Sequence, residues 1–181
     1  MPPSTLADLH RQIEQCTACD LGRTRIRVVP GTGSSTAKVF FIGEAPGKKE
    51  DATGLPFVGA AGRVLDEMLA TINLSRADVF ITSVLKCRPP ENRDPRPEEI
   101  AACLPFLAQQ VKIIRPKLIV TLGRFALQLF QPEAIIGACH GRLFTDNDYP
   151  ILPVYHPAAA IYNRKLREPL ARDFAIIRDF I

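Results

Sequence analysis

Four of the five cysteines are placed to do chemistry. Cys16 and Cys19 form a C-x2-C pair just past a stretch that can be helical, Cys87 follows an apolar run, and Cys103 falls on the inner side of another helical stretch. In a reducing compartment these read either as metal ligands or as buried thiols, and Cys87 and Cys103 would serve well as small core hydrophobes. A zinc ribbon usually shows two C-x2-C knuckles. Here the second pair is split by 15 residues, so zinc is the less natural metal, and four thiolates can instead hold an iron–sulfur cluster. Cys139 is spare and is read as structural.

Two other segments carry candidate groups. The stretch GEAPGKKEDATGLPFVG, residues 43 to 59, has the glycine content of a phosphate cradle but lacks the G-K-[ST] ending of one. Its acidic Glu50 and Asp51 fit a phosphate poorly. Glu44 comes straight after an apolar run, where a carboxylate is either functional or a surface or capping group. Phe57 is either a stacking platform for a planar ligand or a core side chain, and the residues alone favour the core. The second segment, YHPAAAIYN at 155 to 163, puts His156 at the end of an apolar run. An imidazole there can donate to a negative oxygen or simply be satisfied within the fold.

The elements that must position these groups follow from periodicity. KVFFIG (38–43), DVFITSVL (78–85) and KLIVTLG (117–123) read as buried strands, with further strands in RLFTD and YPILPVYH. Helices are expected over 5–15, from Ala60, from Pro97 at a first helical position, over 124–130, and from about Lys165 to the end. The glycine- and arginine-rich stretch 22–35 reads as loop with room for a short edge strand, and the proline-rich 86–96 as irregular. Alternating strands and helices with near-continuously apolar strands predict an α/β fold: a three-layer αβα arrangement with a short central parallel sheet, one domain over residues 1–181. Ligands of such sheets gather at the carboxyl ends of the strands. Residues 43–59, 86–96 and 156–164 all leave such ends and are expected to meet.

Composition narrows the classes. With 46% apolar and 23% charged residues the chain can build a core, and its net charge of +4 permits a polyanionic partner. No apolar run approaches the roughly 20 residues of a membrane span. The N-terminal MPPSTLADLHRQIEQ lacks the basic start and apolar stretch of a signal peptide. The expected location is therefore a reducing cytoplasm, and the expected state a monomer.

Taken together, C-T-A-C at 16–19, GEAPG…ED..G.PFVG..G..LD at 43–66, KCRPPENR at 86–93, Cys103 and HPAAAIYN at 156–163 resemble the family 4, iron–sulfur, uracil-DNA glycosylases, in order over nearly the whole chain. The resemblance implies a three-layer αβα fold, removal of uracil from DNA to leave an abasic site, and a [4Fe-4S] cluster ligated by Cys16, Cys19, Cys87 and Cys103. It implies further that Glu44 and Ala45 line the uracil pocket and place the attacking water, that Glu50 is a second acidic residue of that motif, that Phe57 stacks on the base, and that His156 contacts the pyrimidine oxygen beside the scissile bond. Two positions depart from familiar patterns. Ser83 stands where the best-known members carry an asparagine that reads the polar edge of uracil, and its hydroxyl is shorter than an amide. Ala45 stands where the most familiar glycosylase branch carries a water-activating aspartate.

The resemblance implies a flipped-out deoxyuridine stacked on Phe57 with donors at the leaving base; no covalent intermediate is required, so Lys86 need not be a nucleophile and a monofunctional enzyme without strand cleavage is expected. Arg88, Arg93, Arg164 and Lys165 border the expected pocket and are read as contacts to DNA phosphates, which predicts affinity that falls steeply with salt. The competing readings are an iron–sulfur redox protein, a DNA-binding protein of the same fold that has lost catalysis, and, with least support, a nucleotide hydrolase.

Overall fold

A computed structural model describes residue 3 and residues 5–181; the expectations for residues 1, 2 and 4 lie outside the described residues. Six strands form one sheet in the order β1-β3-β2-β4-β6-β5: Thr32–Gly33, Val39–Gly43, Phe80–Ser83, Leu118–Leu122, Phe144–Asp146 and Tyr149–Val154 in chain order. The central four, β3, β2, β4 and β6, are mutually parallel, as expected. Both edges differ, because β1 and β5 are antiparallel. The β5–β6 pair is a hairpin whose turn residues Asn147 and Asp148 have φ of 44° and 69°, the left-handed conformations that a tight hairpin demands and that Asn and Asp tolerate.

Period-two alternation splits the strands between two cores. On one face Val39, Phe41, Ile81, Val120 and Val154 pack with Val64, Leu65 and Leu69 of α4 (Ala60–Thr71) and with Leu170 and Phe174 of α9 (Arg167–Ala175). On the other face Phe40, Ile42, Phe80, Ile119 and Ile151 pack with Cys103, Leu107 and Ile114 of α5 (Pro97–Ile114). The first helix, α1 (Leu6–Glu14), packs on α5 rather than on the sheet. These layers are the αβα arrangement expected.

Helix starts follow local chemistry. Pro97 opens α5, and the Glu99 carboxylate turns back to accept from the Arg96 N–H, so the proline's missing donor costs nothing. Pro153 sits within β6, and its carbonyl accepts from the Gly141 N–H. Its nitrogen therefore faces the flank beyond the end of β5, where no ladder donor is needed. The second strand stops at Ser83, two residues short of its expected end, although Val84 and Leu85 still donate to Gly43 and Glu44 carbonyls. The remaining helices are short: α2 (Leu21–Thr24), α3 (Lys48–Thr53), α6 (Arg124–Gln128), α7 (Ile136–Cys139) and α8 (Ala159–Tyr162). Of these, α3 lies inside the glycine-rich stretch read as loop, and α7 follows the third strand where no element was expected. The C-terminal helix starts at Arg167, after a 3-10 turn over Arg164–Leu166.

Candidate active site

At the carboxyl edge of the sheet, Gly43 of β2 lies in register with Ser83 of β3. A Cβ at position 43 would lie 2.7 Å from the Phe57 ring and 3.2 Å from Ser83 Oγ. Glycine there lets Phe57 and Ser83 approach the strand end. Phe57 is 7% exposed and belongs to the core cluster under α4, so the packing role favoured by the residues alone is real. Its ring also stacks on His156, with centroids 5.7 Å apart and planes at 28°. The glycine loop and the His-Pro segment therefore meet.

His156 is tied down at one nitrogen. Its Nδ1 accepts from the Ala158 N–H at 3.1 Å, which leaves the ring proton on Nε2. Burial pulls its pKa from the ordinary imidazole value to about 4. At neutral pH it is an uncharged ring with an N–H donor on the side away from its own backbone. Gly123, at the end of β4, makes room for it, since a Cβ there would lie 2.9 Å from that of His156.

Glu44 is half-buried, and its carboxylate has no hydrogen-bond partner among the described residues. Burial raises its pKa, Asp94 raises it further, and Arg124 opposes them. Asp94 and Arg124 are themselves an ion pair, Nη2 to Oδ2 2.5 Å. This pair brings the third expected segment, 86–96, to the same edge. Arg124 was not foreseen, although it directly follows Gly123 at the carboxyl end of β4; the turn after that strand was the one strand end not considered.

Glu50 is engaged by the loop's own backbone. Its Oε1 accepts from the N–H groups of Val58 and Gly59, at 2.9 and 3.0 Å, at the start of α4. It shapes the loop that carries Phe57. Ala45 packs against the α5-side core. Ser83 is nearly buried, and its hydroxyl has no hydrogen-bond partner among the described residues.

The basic residues divide. Arg164 and Lys165 are exposed and make no ion pair among the described residues, with the turn held by Asn163 Oδ1 accepting from the Lys165 N–H. Arg88 donates Nε to Asn92 Oδ1. Arg93 is engaged by both oxygens of the buried Glu99, at 2.9 and 2.5 Å, which lowers the Glu99 pKa. It has the least freedom of the four to meet a phosphate.

Behind this edge, Cys16, Cys19, Cys87 and Cys103 line one small pocket, together with Arg25 and Lys86. The N-terminal segment and the segment after β3 thus come together as four thiols. Arg25 Nη1 lies 3.2 Å from Cys87 Sγ and Nη2 donates to the Glu14 carbonyl, a link that sequence spacing does not reveal. Burial pushes the Cys103 thiol up to about 11. Among the described residues, no group of three or more His, Cys, Asp and Glu side chains is arranged to hold a metal ion. Cys139 stands apart from this pocket. Lys86, 1% exposed, donates to Thr82 Oγ1, the Ser83 carbonyl and Gln110 Oε1. It connects the wall of the cysteine pocket to the strand end that carries Ser83, and its nitrogen is fully committed.

A fold with its open polar groups at this sheet edge is that of a known enzyme class. The family model for the uracil DNA glycosylase superfamily matches residues 30–177, and the chain belongs to that superfamily. It is 48% identical to the type-4 uracil-DNA glycosylase of Archaeoglobus fulgidus, over 94% of this chain and 90% of that one. It is 46% identical to the type-4 enzyme of Saccharolobus solfataricus, over 93% and 82%, and 41% identical to that of Thermotoga maritima, over 94% and 91%.

Proposed function

We propose that this chain is a monofunctional uracil-DNA glycosylase: it hydrolyses the N-glycosidic bond of deoxyuridine in DNA, releases uracil and leaves an abasic site. The observation that carries the reading is the set of uncommitted polar groups around Phe57 and the end of β2. These are the Glu44 carboxylate, the Ser83 hydroxyl and the Nε2–H of a neutral, backbone-tethered His156.

The target nucleotide leaves the stack at a cost of about a few kcal/mol. Its base lies against Phe57, where stacking returns about 1–3 kcal/mol. Ser83 Oγ meets the polar edge of uracil, with backbone N–H groups near Glu44 and Ala45 completing the pocket. As the bond from C1′ to the base breaks, its electron pair leaves with uracil, and His156 Nε2–H donates to the oxygen where that charge gathers. A neutral donor suits this task, because it stabilises the anion without losing its proton. Water adds to C1′, and Glu44, whose raised pKa brings it nearer to the working pH, orients the water and takes its proton. Lys86 is no nucleophile here, since its nitrogen is held by three oxygens. Arg88, Arg164 and Lys165, with Arg93 more weakly, contact the phosphates of single- or double-stranded DNA. Ile161 and Tyr162, the latter 89% exposed, are placed to wedge into the gap left by the base.

Cys16, Cys19, Cys87 and Cys103 would hold a [4Fe-4S] cluster. Four thiols that line one small pocket suit a cluster in which each thiolate serves its own iron. The cluster supplies a structural tie rather than a reacting group. Among the described residues no helix is long and apolar enough to cross a membrane, and the reading adds a cytoplasmic location, a monomeric state and one domain spanning residues 1–181.

The test is base release from a labelled oligonucleotide with one uracil opposite guanine, with thymine and cytosine controls and alkali to reveal the abasic site. Cleavage only at uracil is expected. No cleavage by brown, cluster-loaded protein would reject the reading in favour of a binding or redox protein of this fold.

A further inference from the structure

Phe57 is held in place by contacts to its backbone, and the largest of these comes from a residue outside every motif discussed above. Phe57 has φ of 53°, a left-handed conformation that costs a side-chain-bearing residue energy unless its surroundings enforce it. Three neighbours do so. Glu50 takes the N–H groups that follow it, at Val58 and Gly59. Gly62, in the first turn of α4, presses so close that a Cβ there would lie 1.6 Å from the Phe57 carbonyl oxygen. Arg76, from the turn before β3, donates Nη1 to the Pro56 carbonyl at 2.9 Å and Nη2 to the Phe57 carbonyl at 2.5 Å. Its Nε pairs with Asp66 of α4 at 2.6 Å.

The guanidinium thus ties the peptide units on either side of the Cα of Phe57 to the helix behind it. Only a planar, forked cation can serve two successive carbonyls and a carboxylate at once. We infer that Arg76 is the positioning residue for the Phe57 platform: it holds the ring at the angle from which it receives the flipped base, without touching that base. The inference rests on the glycosylase reading and assigns it one more residue.

Arg76→Gln removes the charge and the fork, and Arg76→Lys keeps the charge alone. Single-turnover uracil release from a single-stranded oligonucleotide is expected to fall about tenfold in Arg76→Gln, within the range of a lost base–aromatic stack, and nearly as much in Arg76→Lys. Binding to the same oligonucleotide without uracil should be unchanged, because phosphate contacts lie elsewhere. The decisive readout is a double-mutant cycle with Phe57→Ala, in which the Arg76 substitution should cost almost nothing further. Independent, multiplying losses would overturn the inference, as would full rescue by lysine. If Arg76→Gln does not fold, Arg76→Lys carries the same cycle. Failure of the wild-type protein to release uracil would retire the glycosylase reading, and this role with it. An active wild type with uncoupled variants would retire the role of Arg76 alone.

Discussion

The two functional regions of the molecule are built on opposite plans. At the sheet edge, the reacting groups are left free while the backbone around them is fastened. Among the described residues the Glu44 carboxylate, the Ser83 hydroxyl and His156 Nε2 have no hydrogen-bond partner, whereas Glu50 and Arg76 grip the loop that carries Phe57. In the cysteine pocket the side chains themselves converge from distant stretches of chain, which α1 packing on α5, the Val29 N–H donating to the Lys86 carbonyl and the contact of Arg25 with Cys87 bring together. A site that must change charge during a turnover is prepared from behind, whereas a site that joins chain segments derives its order from what it binds. Removing a group from the first should abolish activity and spare the fold. Removing a group from the second should do the reverse first.

The largest effect tests the first half of that contrast. Glu44→Gln should lower the single-turnover rate of uracil release by about 10²–10⁴-fold, the usual worth of a general base. It should leave the melting temperature unchanged, because no hydrogen bond is lost. A large drop in melting temperature would mean that Glu44 is a structural carboxylate. The converse is Cys87→Ala, which should lose brown colour and stability together. The expected fall in Tm is roughly 6–12 °C, from a loss of about 3 kcal/mol. A colourless variant with unchanged melting temperature and activity would sink the structural role of the cluster.

The same contrast explains what could be read before the fold was known. The four parallel strands are short, largely apolar and buried on both faces, so periodicity located them. The edge strands β1 and β5 are half-exposed and only two and three residues long, and their direction depends on a tertiary pairing that no local pattern encodes. Within the site, Glu44, Phe57, Ser83 and His156 were legible because each sits at a strand end or in a glycine loop. Arg76, Arg124 and Arg25 were not. A lone arginine before a strand or after a glycine looks like any solvated charge, and its role exists only once the fold brings a carbonyl, a carboxylate or a thiol to it. Glu50 was legible as an acidic residue of the loop, but its capture of the Val58 and Gly59 N–H groups was not, because a loop carboxylate that captures backbone N–H groups has the same local sequence as one that faces a ligand.

A smaller effect concerns pH and stability. The folded-state pKa of His156 is about 4, below its ordinary value of 6.5. The unfolded chain therefore binds a proton that the folded chain refuses, and stability is lost as pH falls from about 6.5 toward 4. Below that window the contribution is flat. Denaturant unfolding of wild type and His156→Asn across this range should show a shallower decline in the variant. Equal slopes would mean that the imidazole is free to charge in the folded protein, and the neutral-donor role would fall with it.

The subtlest test uses the charges around Glu44. Asp94 raises the Glu44 pKa and Arg124 lowers it, and the two are paired with each other. If ionised Glu44 handles the attacking water, the acidic limb of the pH–rate profile follows its pKa. Asp94→Asn removes a repelling charge and frees Arg124, so the limb should move to lower pH. Arg124→Ala removes the attracting charge and leaves Asp94 unbalanced, so the limb should move to higher pH. Opposite shifts with nearly equal plateaus require a titrating carboxylate between them, because a general loss of packing would move both variants the same way. Limbs that stay together would instead assign the pH dependence to another group, and would leave Glu44 to orient the water without taking its proton.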